Sequence, residues 1–206
     1  MLTNMRIMTI SSIVLVSAST VMARPQELGV LGEPTLGLLG EPTSVKHKGT
    51  CPNTNLVDNF DIDRFLGTWY EIKALNTVYQ NIKSCHKSTF NRASNGVQIK
   101  AVGLDQHNKV ITSLTNLTFT DHPAKFNTDF VSKDIPAPIE ILDTDYDTYA
   151  CMHSCVSVAS IIEDMVFIYA RKRTVSQAVI DKCLSIFYQY PDMYPGDLTD
   201  TPHTGC

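Results

Sequence analysis

Past a turn at Asn59, apolar and polar residues alternate in short runs, each closed by Gly, Pro, Asn or Asp. A period of two puts one face of a strand on a core and the other in water. The runs predict strands near 67–75, 84–91, 96–103, 109–119, 125–131, 138–143, 148–156 and 164–171. Ser94-Asn95-Gly96, Gln106-His107-Asn108, Asp121-His122-Pro123 and Glu163-Asp164 are the breakers. Short antiparallel strands in this succession predict an all-β fold, an eight-stranded up-and-down β-barrel that can enclose one small ligand. A β-sandwich carries similar strand counts, and periodicity alone does not separate the two.

One later segment changes period. Val175, Val179, Cys183 and Ile186 share one face at helical spacing, and Thr174 with Gln177 reads as a capping box. This predicts a single C-terminal α-helix packed on the outside of the barrel, stopped by Pro191. The Pro/Asp/Gly-rich tail to Cys206 is expected to wrap the surface.

Ahead of the strands the composition is different. Residues 1–23 have a signal-peptide pattern: Arg6, an apolar core from Ile7 to Val16, and small residues ending Val21-Met22-Ala23. That core is too short to span a bilayer, and the chain is expected to be secreted. Residues 24–50 form a Gly/Pro/Leu-rich stretch with a tandem octad, Leu28-Gly-Val-Leu-Gly-Glu-Pro-Thr35 and Leu36-Gly-Leu-Leu-Gly-Glu-Pro-Thr43. Two copies are too few for a solenoid, and the stretch is expected to be a flexible arm. Residues 51–206 then suit one domain with one core. With 17 basic and 21 acidic residues there is no basic stripe, which speaks against nucleic-acid binding.

Six cysteines in a chain with an export signal favour three disulfides. Fifteen pairings are open to them, and spacing does not choose. His153 stands between Cys151 and Cys155, but no second Cys/His pair at zinc spacing accompanies it, so disulfides are favoured over a metal. No Ser/His/Asp constellation or nucleophile elbow is apparent, and the chain is expected not to be an enzyme.

Three motifs narrow the fold. Gly67-Thr68-Trp69-Tyr70 holds the only tryptophan: glycine lets the chain turn closely under a barrel, and the indole plugs its floor. Thr144-Asp145-Tyr146, followed by Tyr149-Ala150, lies between the sixth and seventh predicted strands. Phe167-Ile168-Tyr169-Ala170-Arg171 closes the last strand, where a guanidinium can stack on Trp69 and bind free carbonyls at the floor. Together these motifs resemble the three signatures of the lipocalins. The doubled cysteine at 151 and 155, Tyr79-Gln80 through Cys85, and Asp181-Lys182-Cys183 resemble the A-type subunits of crustacyanin. Thr118-Phe-Thr-Asp121 with Pro123-Ala-Lys-Phe126 is similar to retinol-binding protein, and apolipoprotein D shares much of the frame.

The resemblance implies the pairs Cys51–Cys155, Cys85–Cys206 and Cys151–Cys183. If Cys151 then faces the helix, alternation turns Ala150, Met152 and Ser154 inward. Asn116 begins the only glycosylation sequon; a glycan there faces water and turns Thr115, Leu117 and Phe119 inward. The family's phase adds Phe126, Thr128, Phe130, Ile139, Ile141, Met165, Phe167 and Tyr169, with Tyr79 at the mouth. The expected lumen is apolar and Met-bearing with few polar groups, although the same residues would also fill a ligand-free core. Glu71 and Lys73 share the phase of Trp69.

The function implied is non-enzymatic carriage of a small hydrophobic ligand, a carotenoid such as astaxanthin, with no cofactor required. That ligand is longer than such a barrel, which invites a homo- or hetero-dimer with a second lipocalin subunit. The alternative is an apolipoprotein D-like carrier of retinoid, fatty acid or bilin. An isomerase of the prostaglandin D synthase type needs a free thiol in the cavity, and here each cysteine has a partner. A surface-acting role, such as protease inhibition, would rest on the 24–50 arm.

Overall fold

The computed structural model describes residues 46–75, 80–128, 137–158, 161–190, 193 and 198–206. The expected signal peptide, the repeat-bearing part of the arm, Tyr79 and Phe130 lie outside them.

Asp61 starts the barrel from below. Its carboxylate accepts the Asp63 and Arg64 amides at 3.0 and 3.3 Å and caps a one-turn helix, α1 (Ile62–Phe65). Gly67 then opens the first barrel strand with φ +96°, a backbone that side-chain-bearing residues rarely adopt, and Arg171 Nη1 stands 3.4 Å from where its Cβ would lie. Eight strands follow: β2 (Gly67–Leu75), β3 (Ser84–Ala93), β4 (Gly96–Leu104), β5 (Val110–Phe119), β6 (Lys125–Thr128), β7 (Ile139–Thr144), β8 (Tyr149–Val158) and β9 (Ile161–Ala170). Each pairs antiparallel with the next, and β9 pairs back onto β2 from Tyr70↔Ala170 to Ala74↔Phe167. The ring is closed, which rules out the sandwich.

Above that seam β2 and β9 part, and each exposed edge receives a short partner. Here β1 (Lys46–Lys48) pairs with Ile161 to Glu163, and β10 (Leu198–Asp200) pairs with Lys73 to Leu75. Covering such edges removes a template for wrong pairing. Both strands differ from expectation, since the end of the 24–50 stretch and part of the tail become sheet.

The eighth strand also begins earlier than expected. Glu163 and Asp164 read as a turn but sit inside β9, opposite Val156 and Cys155. Strand β9 is buried on both faces. Met165, Phe167 and Tyr169 face the interior, while Val166, Ile168 and Ala170 join an outer cluster with the helix α2 (Gln177–Phe187). A strand covered on both faces loses the alternation that marks a half-exposed one.

Helix α2 lies on the outer wall as expected, with Cys183 and Phe187 buried against Ile72, Leu75 and Ile168. The capping box does not form: Ser176 is the N-cap, its side chain makes no capping bond, and Gln177 Nε2 instead donates to Asp181 at 2.8 Å. Three disulfides join Cys51–Cys155, Cys85–Cys206 and Cys151–Cys183. No cysteine is free among the described residues.

Candidate ligand-binding cavity

The floor of the barrel is solid. Trp69 is fully buried, stacks on Phe65 at 4.7 Å between ring centroids, and donates its indole N–H to Phe65 O at 2.8 Å. The Arg171 guanidinium lies 3.8 Å over the indole. It donates to the carbonyls of Tyr146, Leu66, Thr68 and Arg64 at 2.9–3.0 Å, and to that of Phe65 at 3.4 Å. Those of Arg64, Phe65 and Leu66 close a helix end, Tyr146 lies in a turn, and Thr68 lies at the start of β2, below its seam with β9. The turn presenting Tyr146 is built by its neighbours. Asp145 accepts the amides of Asp147, Thr148 and Tyr149, and Thr144 Oγ donates to Tyr149 O at 2.6 Å.

Above Trp69 the interior fills with Phe60, Phe90, Val97, Leu117, Phe126, Ile141 and Ala150. Leu117, Phe126, Ile141 and Ala150 therefore face inward as expected, but they pack the floor rather than line a hollow. Thr128 is buried and also lies off the cavity wall. Phe119 is 46% exposed: it keeps the inward phase of Leu117 but lies at the strand end, tilted against Phe126 and under Arg92.

The upper half is hollow, with a cavity of about 970 Å³. Its wall includes seven of the residues expected to face inward, Thr115, Ile139, Met152, Ser154, Met165, Phe167 and Tyr169. Their phase on β8 is set as anticipated, with Cys151 outward on Cys183 and Met152 and Ser154 inward. Asn116 is exposed and accepts from Gln98 at 3.3 Å.

The wall is more polar than expected. Glu71, His86, Ser88 and Tyr169 meet low in the cavity. The Glu71 carboxylate is fully buried and accepts from Gln80 at 2.5 Å, Thr201 at 2.7 Å and Tyr169 at 3.4 Å. His86 Nδ1 lies 3.0 Å from it but is not aligned for a hydrogen bond. Burial pushes the Glu71 carboxyl up, and His86, Thr201 and Tyr169 outweigh it, leaving it below its ordinary value. Lys73 does not join this group: the β2–β9 register shifts between Glu71 and Lys73, and Lys73 pairs with Asp200 at 2.6 Å.

Ser88 Oγ is 3.2 Å from His86 Nε2, so Ser88, His86 and Glu71 follow one another in the order of a nucleophile, a base and a carboxylate. His86 Nδ1 lies 3.0 Å from Glu71 without the alignment by which a triad carboxylate orients its imidazole. What the cluster offers is a set of hydrogen-bonding atoms. His86 and Ser88 share the phase of Phe90 on β3, which is the signal from which they were legible.

On the outer wall His153 is buried between two carboxylates. Its Nδ1 is 2.9 Å from Glu140 and its Nε2 2.9 Å from Asp164. His153, Cys155 and Asp164 are close enough together to suggest a metal site, but the Cys155 sulfur is bonded to Cys51 and both imidazole nitrogens are engaged. The group is a structural clasp.

Residues 66–191 match the model of the lipocalin / cytosolic fatty-acid binding protein family, and the chain belongs to that family. Apolipoprotein D of Cavia porcellus is 29% identical over 140 residues, covering 65% of this chain and 72% of that one. The crustacyanin-A1 subunit of Homarus gammarus is 27% identical over 128 residues, or 60% of this chain and 68% of its own. In fold, the chain is similar to H1 crustacyanin from the lobster Homarus americanus, with a TM-score of 0.66 and 21% identity over 78% of this chain and 91% of that one.

Proposed function

We propose that this protein is a secreted, non-enzymatic carrier that holds a small hydrophobic molecule in the upper half of its barrel. The observation that carries this reading is the division of the interior: a plugged floor below, and above it a 970 Å³ hollow walled by Met152, Met165, Phe167 and Ile139. Burying about 400 Å² of apolar ligand surface at about 25 cal/mol/Å² is worth roughly 10 kcal/mol before entropy losses, enough for micromolar binding. The signal-like residues 1–23 and three disulfides support export. Asn116, exposed on β5, is where a glycan would sit.

A carotenoid such as astaxanthin is the favoured ligand, in keeping with the likeness to crustacyanin subunits. Leu114, 59% exposed, lines the same cavity and leaves an apolar rim at its mouth. A protruding ligand and that rim are what a second lipocalin subunit would cover. The second reading is retinoid, fatty-acid or bilin carriage, in keeping with the likeness to apolipoprotein D. Absorption spectroscopy of the protein purified from its source tests both: a red-shifted carotenoid band is expected. A bilin spectrum supports the second reading, and a colourless preparation removes the pigment.

A further inference from the structure

Ser154 stands high on the cavity wall, between Met152 and Met165 in the lining, and is 2% exposed. Its neighbours Cys155 and His153 face outward, into the disulfide and the carboxylate clasp, so its own side chain belongs to the interior. Among the described residues its hydroxyl has no hydrogen-bond partner, unlike most buried polar groups. Serine is both donor and acceptor, and an unmade bond at a buried hydroxyl is a standing cost that a suitable guest removes.

Register gives the spacing to the second polar station. Ser154 pairs with Met165, and Ala150 pairs with Tyr169, which donates to Glu71. Four residues of β9 separate the two levels, or about 13 Å at roughly 3.3 Å per residue. Between them the wall is Met152 and Phe167. The cavity thus offers a neutral hydroxyl above, an apolar band, and a buried carboxylate below.

Resting on the carrier reading above, we propose that the ligand is a neutral isoprenoid-type molecule bearing a hydroxyl or ketone oxygen, and that Ser154 binds that oxygen. A hydroxyl donates to or accepts from Ser154, and a ketone accepts from it. A carboxylate-ended lipid loses on charge, because it shares a low-dielectric cavity with Glu71, whose buried contacts keep it ionised. A pure hydrocarbon leaves Ser154 unpartnered. An oxygenated carotenoid or a retinol-like ligand is thereby favoured over a fatty acid.

The test uses the whole folded protein and three polyenes of one skeleton: retinol, retinoic acid and the corresponding deoxygenated hydrocarbon. Energy transfer from the single tryptophan, Trp69, reports occupancy. Retinol is expected to bind about three- to tenfold more tightly than the hydrocarbon, the worth of one neutral hydrogen bond, and retinoic acid more weakly than retinol. In Ser154→Ala the alcohol and hydrocarbon affinities are expected to converge, and the unliganded protein to unfold at a higher temperature. Ser154→Thr, which keeps the hydroxyl, retains the preference. Equal binding of alcohol and hydrocarbon by the natural protein, or a preference that survives Ser154→Ala, overturns the proposal. Retinoic acid binding as well as retinol overturns its charge half. If the folded protein binds none of the three, the proposal fails, while the carrier reading is judged separately by the absorption spectrum of the protein from its source.

Discussion

Arg171 collects at one side chain what the barrel floor needs: five donations to carbonyls that no strand partner reaches, and a flat face against Trp69. Lysine keeps the charge but has neither the planar fork nor the stacking surface. Arg171→Lys is therefore expected to cost about 1–3 kcal/mol, since several part-buried carbonyls are left short of donors. Urea unfolding followed by Trp69 fluorescence measures it, and a loss below about 1 kcal/mol would mean that water replaces the guanidinium. This pair was legible in sequence, because Trp69 is the only tryptophan and Arg171 closes the motif at the end of the last strand. Glu71 shares the inward phase of Trp69 in sequence, but no local pattern places His86 beside it. A hydrophobic pattern scores buried charge as surface, and the groups that satisfy Glu71 come from Gln80 and Thr201, far from it in the chain.

Among the elements, helix α2 has the weakest support of its own. It has no side-chain cap and no acidic residue in its first turn, so it depends on the Cys151–Cys183 bridge and on Phe187. The bridge spans 32 residues, for which the chain-entropy model gives about 3–4 kcal/mol. Cys151→Ala with Cys183→Ala is expected to lose about that much stability, with faster amide exchange throughout α2 and unchanged ligand affinity, because the helix touches only the outer wall. Loss of ligand binding in the folded double variant would show that the helix shapes the cavity. The capping box failed as a reading because a competing residue, Ser176, lies nearer the first helical turn. The β8–β9 turn was misplaced because Asp164 carries a turn-forming side chain whose strand position is secured by His153. Strands β1 and β10 answer edges that exist only once the ring has closed, so no local pattern announces them.

At the scale of the molecule, closure, the outer helix and the three bridges follow from short strands, a helical stripe and cysteine pairs that the lipocalin resemblance selected. The partition into a filled floor and a hollow top does not, since one inward-facing stripe runs through both halves and Phe60 and Phe65 fill the lower one from below. What holds the entering segment to the barrel is the outer clasp. Thr54 donates to Glu140 at 2.8 Å, Val57 N to Ile141 O at 3.1 Å, and Glu140 also receives Lys125 at 2.7 Å and His153 at 2.9 Å. Burial pushes the Glu140 carboxyl up, but His153, Lys125 and Thr54 outweigh it and bring it from 4.5 down to about 2. Burial opposes a charge on His153, and Asp164 and Glu140 reverse this, raising it above 6.5. A depressed carboxyl stabilises the fold fully above its unfolded value and loses that contribution as pH falls from 4.5 through about 2. A raised imidazole contributes fully below 6.5 and loses its contribution as pH rises through its folded value. Thermal stability is therefore expected to be greatest between pH 4.5 and 6.5 and to fall on both sides. His153→Gln cannot take up the proton, so its deficit against the natural protein should be widest inside that window and shrink as pH rises above it. Melting curves across pH that run parallel for the two proteins would mean that His153 does not hold its proton between Glu140 and Asp164.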